Sequence, residues 1–247
     1  MTEGIRGLVV VPTYNEAGSI RDVVDRLFEA AGGSVHLLVV DDGSPDGTAE
    51  IVEELAQRRP EEIHLLRRAS KAGLGTAYVE GFRWGLERGY GAMVEMDADL
   101  SHDPAVVPAL LDALDEADLV IGSRYVPGGK VENWGAFRRA LSRFGNIYAR
   151  VLLGYEVKDS TAGFRAYRRS WLATEDLSTV ASHGYAFQIE MTRRVHSRGG
   201  RIAEVPITFV ERTTGNSKMS RRIVAEALVE VTMWGLRDRV ARRRLHK

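Results

Sequence analysis

An α/β domain, with a mainly parallel sheet covered by helices on both faces, is predicted by three features of this 247-residue sequence. Short apolar runs rich in β-branched residues recur at 8–11, 35–40, 63–66, 92–96 and 119–122. Segments with apolar residues at helical spacing separate them, and each run stops in a cluster of polar turn formers. Runs that are apolar on both sides cannot face water, so their alternation with helices implies a doubly covered parallel sheet.

Taken in order, the first run ends at Pro12, and residues 16–31 carry Ile20, Val23, Val24, Leu27 and Phe28 on one helical stripe. The second runs into Asp41-Asp42-Gly43-Ser44-Pro45-Asp46-Gly47, turn residues ahead of a helix over 48–59 that Thr48 or Asp46 can cap. The third opens a loop over 67–75 and then a helix over 76–88. Gly73-Leu74-Gly75 begins like a dinucleotide fingerprint, but Tyr78 stands where the third glycine belongs, so the stretch reads as a tight turn into a helix.

The fourth run ends at Asp97-Ala98-Asp99. Two carboxylates flanking one small residue at a strand end can turn toward a single hard cation, and Mg²⁺ or Mn²⁺ commonly uses one or two protein carboxylates with substrate phosphates. Alone, such a triplet is more often turn chemistry. Three other polar strand-end loops, Thr13-Tyr14-Asn15-Glu16, Asp41-Asp42 and Lys71-Ala72-Gly73-Leu74-Gly75, share its rim, where open α/β sheets bind ligands.

Beyond it, the fifth run ends at Ser123-Arg124-Tyr125, and 127–130 reads as a loop. A basic helix from Trp134 places Arg138 and Ser142 four apart, on one face that can grip a phosphate. Residues 159–165 read as a turn or strand entry. The helix opening at Tyr185 sets Glu190 near a buried end, where it requires a partner. Residues 202–210 read as one strand, and 211–218 as a polar, cation-bearing loop able to close over a pyrophosphate. A final helix, from about Met219 to Arg244, bears Ile223, Ala227, Val231 and Trp234 on one stripe and continues into a basic tail.

Composition narrows the function classes. With no cysteine there is no disulfide framework, thiolate nucleophile or Cys-based zinc site, and a cytoplasmic location is favoured. The first residues lack the basic and apolar regions of a signal peptide, and no stretch holds the roughly 18 apolar residues of a spanning helix. Net charge is zero, yet residues 1–118 hold 10 basic and 23 acidic side chains, against 6 and 1 over 124–150 and 14 and 5 over 193–247. The later segments therefore call for an anionic partner, phosphate-bearing ligands or a membrane surface. No nucleic-acid module is present, so nucleic acid is not expected.

Several motifs together carry a family resemblance. Val11-Pro12-Thr13-Tyr14-Asn15-Glu16, Asp41-Asp42-Gly43-Ser44-Pro45-Asp46-Gly47-Thr48, Gly73-Leu74-Gly75-Thr76-Ala77-Tyr78 and Met96-Asp97-Ala98-Asp99-Leu100-Ser101-His102 are similar to those of the dolichol-phosphate (polyprenol-phosphate) mannosyltransferases, in glycosyltransferase family 2. Gly122-Ser123-Arg124-Tyr125, the stretch 159–165, Phe187-Gln188-Ile189-Glu190-Met191 and Glu204-Val205-Pro206-Ile207 extend the resemblance over about 8–222.

The resemblance implies a GT-A (Rossmann-like) fold and inverting transfer of mannose from GDP-mannose to a polyprenyl phosphate, aided by a divalent cation. It implies that Pro12, Tyr14, Glu16, Val40 and Asp42 hold the nucleoside, that Ala98 and Asp99 meet the diphosphate and sugar, and that Asp97 and Asp99 bind the metal. Ser101, where some relatives carry Gln, is a shorter oxygen ligand for that ion. Arg124, Arg138 and Ser142 are implied to clasp the acceptor phosphate, and Arg212 and Lys218 to reach the donor diphosphate. A catalytic domain over 1–222 is followed by an amphipathic helix and basic tail over 223–247, in the same domain or against a membrane. Membrane access, on the cytoplasmic face, is expected from the basic surface, the last helix or an anchoring partner protein. Two alternatives stand beside this reading: a family 2 transferase using another donor such as UDP-glucose, and a non-catalytic nucleotide- or lipid-binding subunit.

Overall fold

The computed structural model describes residues 7–180, 182, 184–211 and 221–245. Its elements run β1 (Gly7–Thr13), α1 (Ile20–Ala31), β2 (Val35–Asp41), α2 (Thr48–Arg58), β3 (Ile63–Arg67), α3 (Leu74–Glu87), β4 (Ala92–Glu95), α4 (Val107–Ala113), β5 (Leu119–Ser123), β6 (Lys130–Glu132), α5 (Ala136–Leu153), β7 (Arg165–Arg168), α6 (Arg169–Leu172), α7 (Tyr185–Ser197), β8 (Ile202–Pro206), β9 (Thr208–Val210) and α8 (Arg221–Leu245). The central sheet has the order β3-β2-β1-β4-β7-β5-β8. All its pairings are parallel except those of β7, which runs antiparallel to both β4 and β5.

The period of two along a strand decides which side chain meets which helix layer. Val9 and Val11 of β1, with Leu37, Val39 and Val94, pack against α1, α2 and α4. Leu8 and Val10, with Leu38, Val40 and Met93, pack against α3, α5 and α7 on the other side. Both faces are thus covered, as the uninterrupted apolar runs require. Helix α3 lies unusually close to β1, because a Cβ at Gly81 would run into Val10.

The stretch 159–165, read as a turn or strand entry, leads into the antiparallel strand β7 inside the sheet. Two stretches differ from the sequence expectation. The stretch expected to be a loop over 127–130 leads into β6, and the single strand expected over 202–210 is split at Ile207. Its first half joins the main sheet as β8, and its second half, β9, pairs with β6 in a separate two-stranded sheet. Among the described residues no helix is long and apolar enough to cross a membrane.

Candidate active site

The carboxyl ends of β1, β2 and β4, the loops that follow them, and the start of α7 enclose a cavity of about 370 Å³. It is lined by Pro12, Tyr14, Glu16, Asp42, Lys71, Asp97, Ala98, Asp99, Ser101, His102, Arg124, Trp134, Arg138, Thr161, Gly163, Gln188 and Glu211, among others. The rim of polar loops expected from the strand ends is therefore one continuous wall.

The two aspartates at the end of β2 divide their tasks. Asp41 is buried and organises the turn: its carboxylate accepts from Thr13 Oγ1 at 2.9 Å and from the backbone N–H groups of Gly43 and Ser44 at 3.1 and 2.9 Å. Asp42 faces the cavity and is paired with Arg68, Nη1 to Oδ1 2.5 Å. Burial raises the Asp42 pKa above the ordinary carboxylate value, and the Arg68 charge opposes that rise. The Lys71 ammonium sits 4.1 Å from the Tyr14 ring centroid, a cation–π contact between two residues of the cavity lining. Val40 does not line the cavity; its side chain alternates into the core on the α3 side.

Downstream of β4 the chain doubles back through Leu100, whose φ of 61° is left-handed and strained for a leucine. That turn lets the Ser101 N–H donate to Asp99 Oδ1 at 3.1 Å and brings His102 under Asp97. The Asp97 N–H donates to His102 Nδ1 at 3.2 Å, so that nitrogen is an acceptor. Burial lowers the His102 pKa, against the opposing charges of Asp97 and Asp99, and the ring stacks on Phe164 with centroids 5.0 Å apart. Asp97 Oδ1 accepts from the Tyr78 hydroxyl at 3.4 Å.

This loop suits a hard divalent ion. Asp97 and Asp99 both reach the cavity, and the Ser101 hydroxyl is buried without a hydrogen-bond partner among the described residues. Among those residues no group of three or more His, Asp or Glu side chains could hold an ion alone. Such a donor set fits an ion whose remaining ligands are water and phosphate oxygens.

The cations implied to meet the acceptor, Arg124 and Arg138, line the same cavity. The Arg124 guanidinium is gripped by Asp159, Nε to Oδ2 2.7 Å and Nη2 to Oδ1 2.6 Å, and donates to Thr161 Oγ1 at 2.8 Å. Burial alone would raise the Asp159 pKa, but the Arg124 charge and hydrogen bonds outweigh it and hold the carboxyl below its ordinary range. Arg138 pairs with Glu211 and lies over Trp134, 4.3 Å from the ring centroid. Ser142 Oγ accepts from the Tyr125 hydroxyl at 2.7 Å.

Arg124, Arg138 and Ser142 also border a second hollow, a groove of about 80 Å³ between α5 and α8 whose other walls include Leu141, Phe144, Ile189, Ala227, Leu228 and Val231. The structure thus brings together Pro12, Tyr14, Glu16, Asp42, Asp97, Ala98, Asp99, Ser101, Arg124 and Arg138 around one cavity, with Ser142 at the adjoining groove. Arg212 and Lys218 lie outside the described residues. Sequence reasoning assigned no role to Lys71, His102, Trp134, Thr161, Gly163 or Gln188, which the fold adds to the walls.

The buried side of the site rests on Arg165, which is fully enclosed. Its guanidinium donates to the carbonyls of Ser160, Ala162 and Gln188 and to Thr192 Oγ1, at 2.6 to 2.9 Å. One side chain thereby ties the loop before β7 to the first turns of α7. Glu190 finds the partner its position demanded in Arg194, Oε1 to Nη2 2.6 Å.

Comparison with known proteins gives consistent results. The family model for glycosyl transferase family 2 matches residues 8–174. A polyprenol monophosphomannose synthase of Mycolicibacterium smegmatis is 54% identical over 240 residues, 97% of this chain and 90% of its own. An undecaprenyl-phosphate mannosyltransferase of Micrococcus luteus is 53% identical over 235 residues, 95% of this chain and 96% of its own. The glucosyl-3-phosphoglycerate synthase of Mycobacterium tuberculosis, solved with Mn²⁺, UDP-glucose and phosphoglyceric acid, has a TM-score of 0.66 at 24% identity, covering 93% of this chain and 80% of that one. That last likeness is one of fold.

Proposed function

Because the chain belongs to glycosyl transferase family 2, and within it to the polyprenyl-phosphate mannosyltransferases, we propose that it transfers mannose from GDP-mannose to a polyprenyl monophosphate. The products are polyprenyl phosphomannose and GDP, with inversion at the anomeric carbon. One observation carries this reading: the polar, carboxylate-lined cavity and the apolar groove share Arg124, Trp134, Arg138 and Thr161 as a common wall. A nucleotide sugar suits the first hollow, a prenyl chain suits the second, and the shared cations stand where a phosphate would join them.

On this reading Tyr14, Asp42 and Lys71 frame the nucleoside, with Pro12 and Glu16 beside them. Asp97 and Asp99 hold a divalent cation, in agreement with the Mn²⁺ of the similarly folded synthase. When bound, that ion neutralises charge developing on the leaving diphosphate. Family resemblance assigns Arg212 and Lys218 to the same diphosphate. The acceptor phosphate is already anionic at neutral pH, so attack on the anomeric carbon requires no general base. Arg124 and Arg138 orient it, and the buried Asp159 and the stacked Trp134 fix where those guanidinium groups can point.

A peripheral place on the cytoplasmic face of a membrane fits the outer surface of the groove. Phe137, Phe144, Ile147 and Val151 of α5, and Val229, Met233 and Leu236 of α8, are exposed large apolar side chains. Arg139 and Arg143 stand exposed among those of α5. Apolar groups beside cations suit the interface of an anionic bilayer.

Supplying the protein with Mg²⁺ or Mn²⁺, a polyprenyl monophosphate and either GDP-mannose or UDP-glucose tests the donor. Mannosylated lipid and GDP are expected, abolished by a chelator. Transfer from UDP-glucose alone would refute this donor assignment.

A further inference from the structure

The apolar groove between α5 and α8 is bordered by Arg138 and Ser142 and walled by Leu141, Tyr148, Leu228 and Val231. Midway along α5 its lining includes Gly145, a half-buried residue. Arg138, Leu141, Ser142, Gly145 and Tyr148 recur at helical spacings of three and four, and the other four line the groove, so a side chain at 145 would enter it too. Its place is open: apart from the adjoining chain and the local helix backbone, no described atom lies within 4 Å of a Cβ built there. Glycine is the poorest helix former apart from proline, so inside an 18-residue helix it weakens the element that carries it. What it provides there is room.

The groove also has a closed end. The Thr232 hydroxyl donates to the Leu228 carbonyl at 2.7 Å, so the Tyr148 hydroxyl donates to Thr232 Oγ1, 2.6 Å away, and ties α5 to α8. One turn further the helices touch, because a Cβ on Gly235 would stand 2.9 Å from the Leu152 carbonyl oxygen. Between Ser142 and Tyr148 the helix rises only about 9 Å. The volume of about 80 Å³ is likewise well below the roughly 300 Å³ of a pocket that encloses a drug-sized ligand. The groove therefore houses a short apolar segment. Arg124, Arg138 and Ser142 suit a phosphate at one end of that segment, and the half-exposed Phe144 continues its apolar path outward.

An isoprenoid chain differs from a straight alkyl chain by a methyl branch in every repeat, which widens it at intervals. We infer that Gly145 makes room for that branch in the isoprene segment next to the acceptor phosphate, and thereby selects methyl-branched lipid phosphates over straight-chain ones. This rests on the acceptor assignment proposed above and gives the groove a specificity-determining residue.

The test compares wild type, Gly145→Ala and Gly145→Leu on a polyprenyl monophosphate and a straight-chain alkyl monophosphate of similar length. Both acceptors are presented in the same detergent micelles, with Mg²⁺ or Mn²⁺ and the nucleotide sugar that wild type uses. The Kd of the matching nucleoside diphosphate and the urea midpoint are measured alongside. Wild type should prefer the branched acceptor at least about tenfold in kcat/KM. Gly145→Ala places one methyl group in the open space and should shrink the preference to within about threefold, through a higher KM for the branched acceptor. Its nucleotide affinity should stay within about twofold, and its urea midpoint should equal or exceed that of wild type, since alanine favours the helix. Gly145→Leu should abolish the preference. If Gly145→Leu does not fold, Gly145→Ala alone decides the matter. No preference in wild type, an undiminished preference in Gly145→Ala, or nucleotide binding that falls as far as transfer would overturn the inference and leave the groove to another occupant. Wild type that transfers sugar to neither lipid phosphate would instead remove the functional reading on which it rests.

Discussion

Arg124 and Asp159 show how far a residue's meaning depends on contacts that sequence spacing does not display. Arg124 was legible as a cation after the fifth strand, but the carboxylate that grips it is 35 positions away. Both side chains are buried, so removing one charge strands the other. Arg124→Gln should therefore cost about 3–5 kcal/mol in urea unfolding. The double variant Arg124→Gln/Asp159→Asn should recover most of that stability while transfer stays impaired. Equal stability of wild type and the single variant would show that the pair bears no load. Asp97 and Asp99 could be singled out only because three other polar strand-end loops share their rim; alone, such a triplet is more often turn chemistry. Gln188 and Thr161 were not, since an amide and a hydroxyl become site residues only when the fold turns them toward a cavity.

Among the elements, the strands with continuous apolar runs were the legible ones. Only the entry to strand β7 was legible, over 159–165, because Arg165 and Arg168 deny its continuation an apolar run, yet Arg165 is enclosed with its donors met by carbonyls and a hydroxyl. Strand β6, and the break that separates β9 from β8, were missed for a different reason. Strands β6 and β9 are each three residues long, too short for periodicity to register, and their pairing joins segments far apart in sequence. Strands β2 and β3 also carry His36 and His64, packed with Tyr90 and Trp84. Burial lowers both imidazole pKa values, and for His64 the charges of His36 and Arg88 add to the effect. The unfolded chain then takes up protons first as pH falls below about 6.5, so this contribution is present above that pH and lost beneath it. The urea midpoint should fall between pH 7.5 and pH 5.5, and less so in His64→Phe. An identical fall in the variant would clear the cluster of any part in acid sensitivity.

At the scale of the whole molecule, the uneven charge along the sequence becomes a spatial division. The acidic first half builds the rim of the carboxylate-lined cavity, and the basic segment over 124–150 builds α5 and the mouth of the apolar groove. Exposed Phe137 and Phe144 on that helix should bring the protein to lipid surfaces. Co-sedimentation with anionic liposomes should weaken as salt rises, and Phe137→Ser/Phe144→Ser should reduce it further, with the fold unchanged by circular dichroism. Equal recovery with neutral and anionic vesicles at every salt concentration would contradict the charge-assisted part of this account.

Joining a metal-dependent donor site to a lipid-phosphate acceptor site is the central claim, and Asp99 tests it most directly. Purified protein is given GDP-mannose, a polyprenyl monophosphate and Mg²⁺ or Mn²⁺, and mannosylated lipid is measured for wild type and Asp99→Ala. Wild type should form the product. Loss of the Asp99 carboxylate should raise the barrier by at least ~2 kcal/mol and slow transfer more than tenfold. Full activity in Asp99→Ala would contradict the account, leaving the aspartates a structural role.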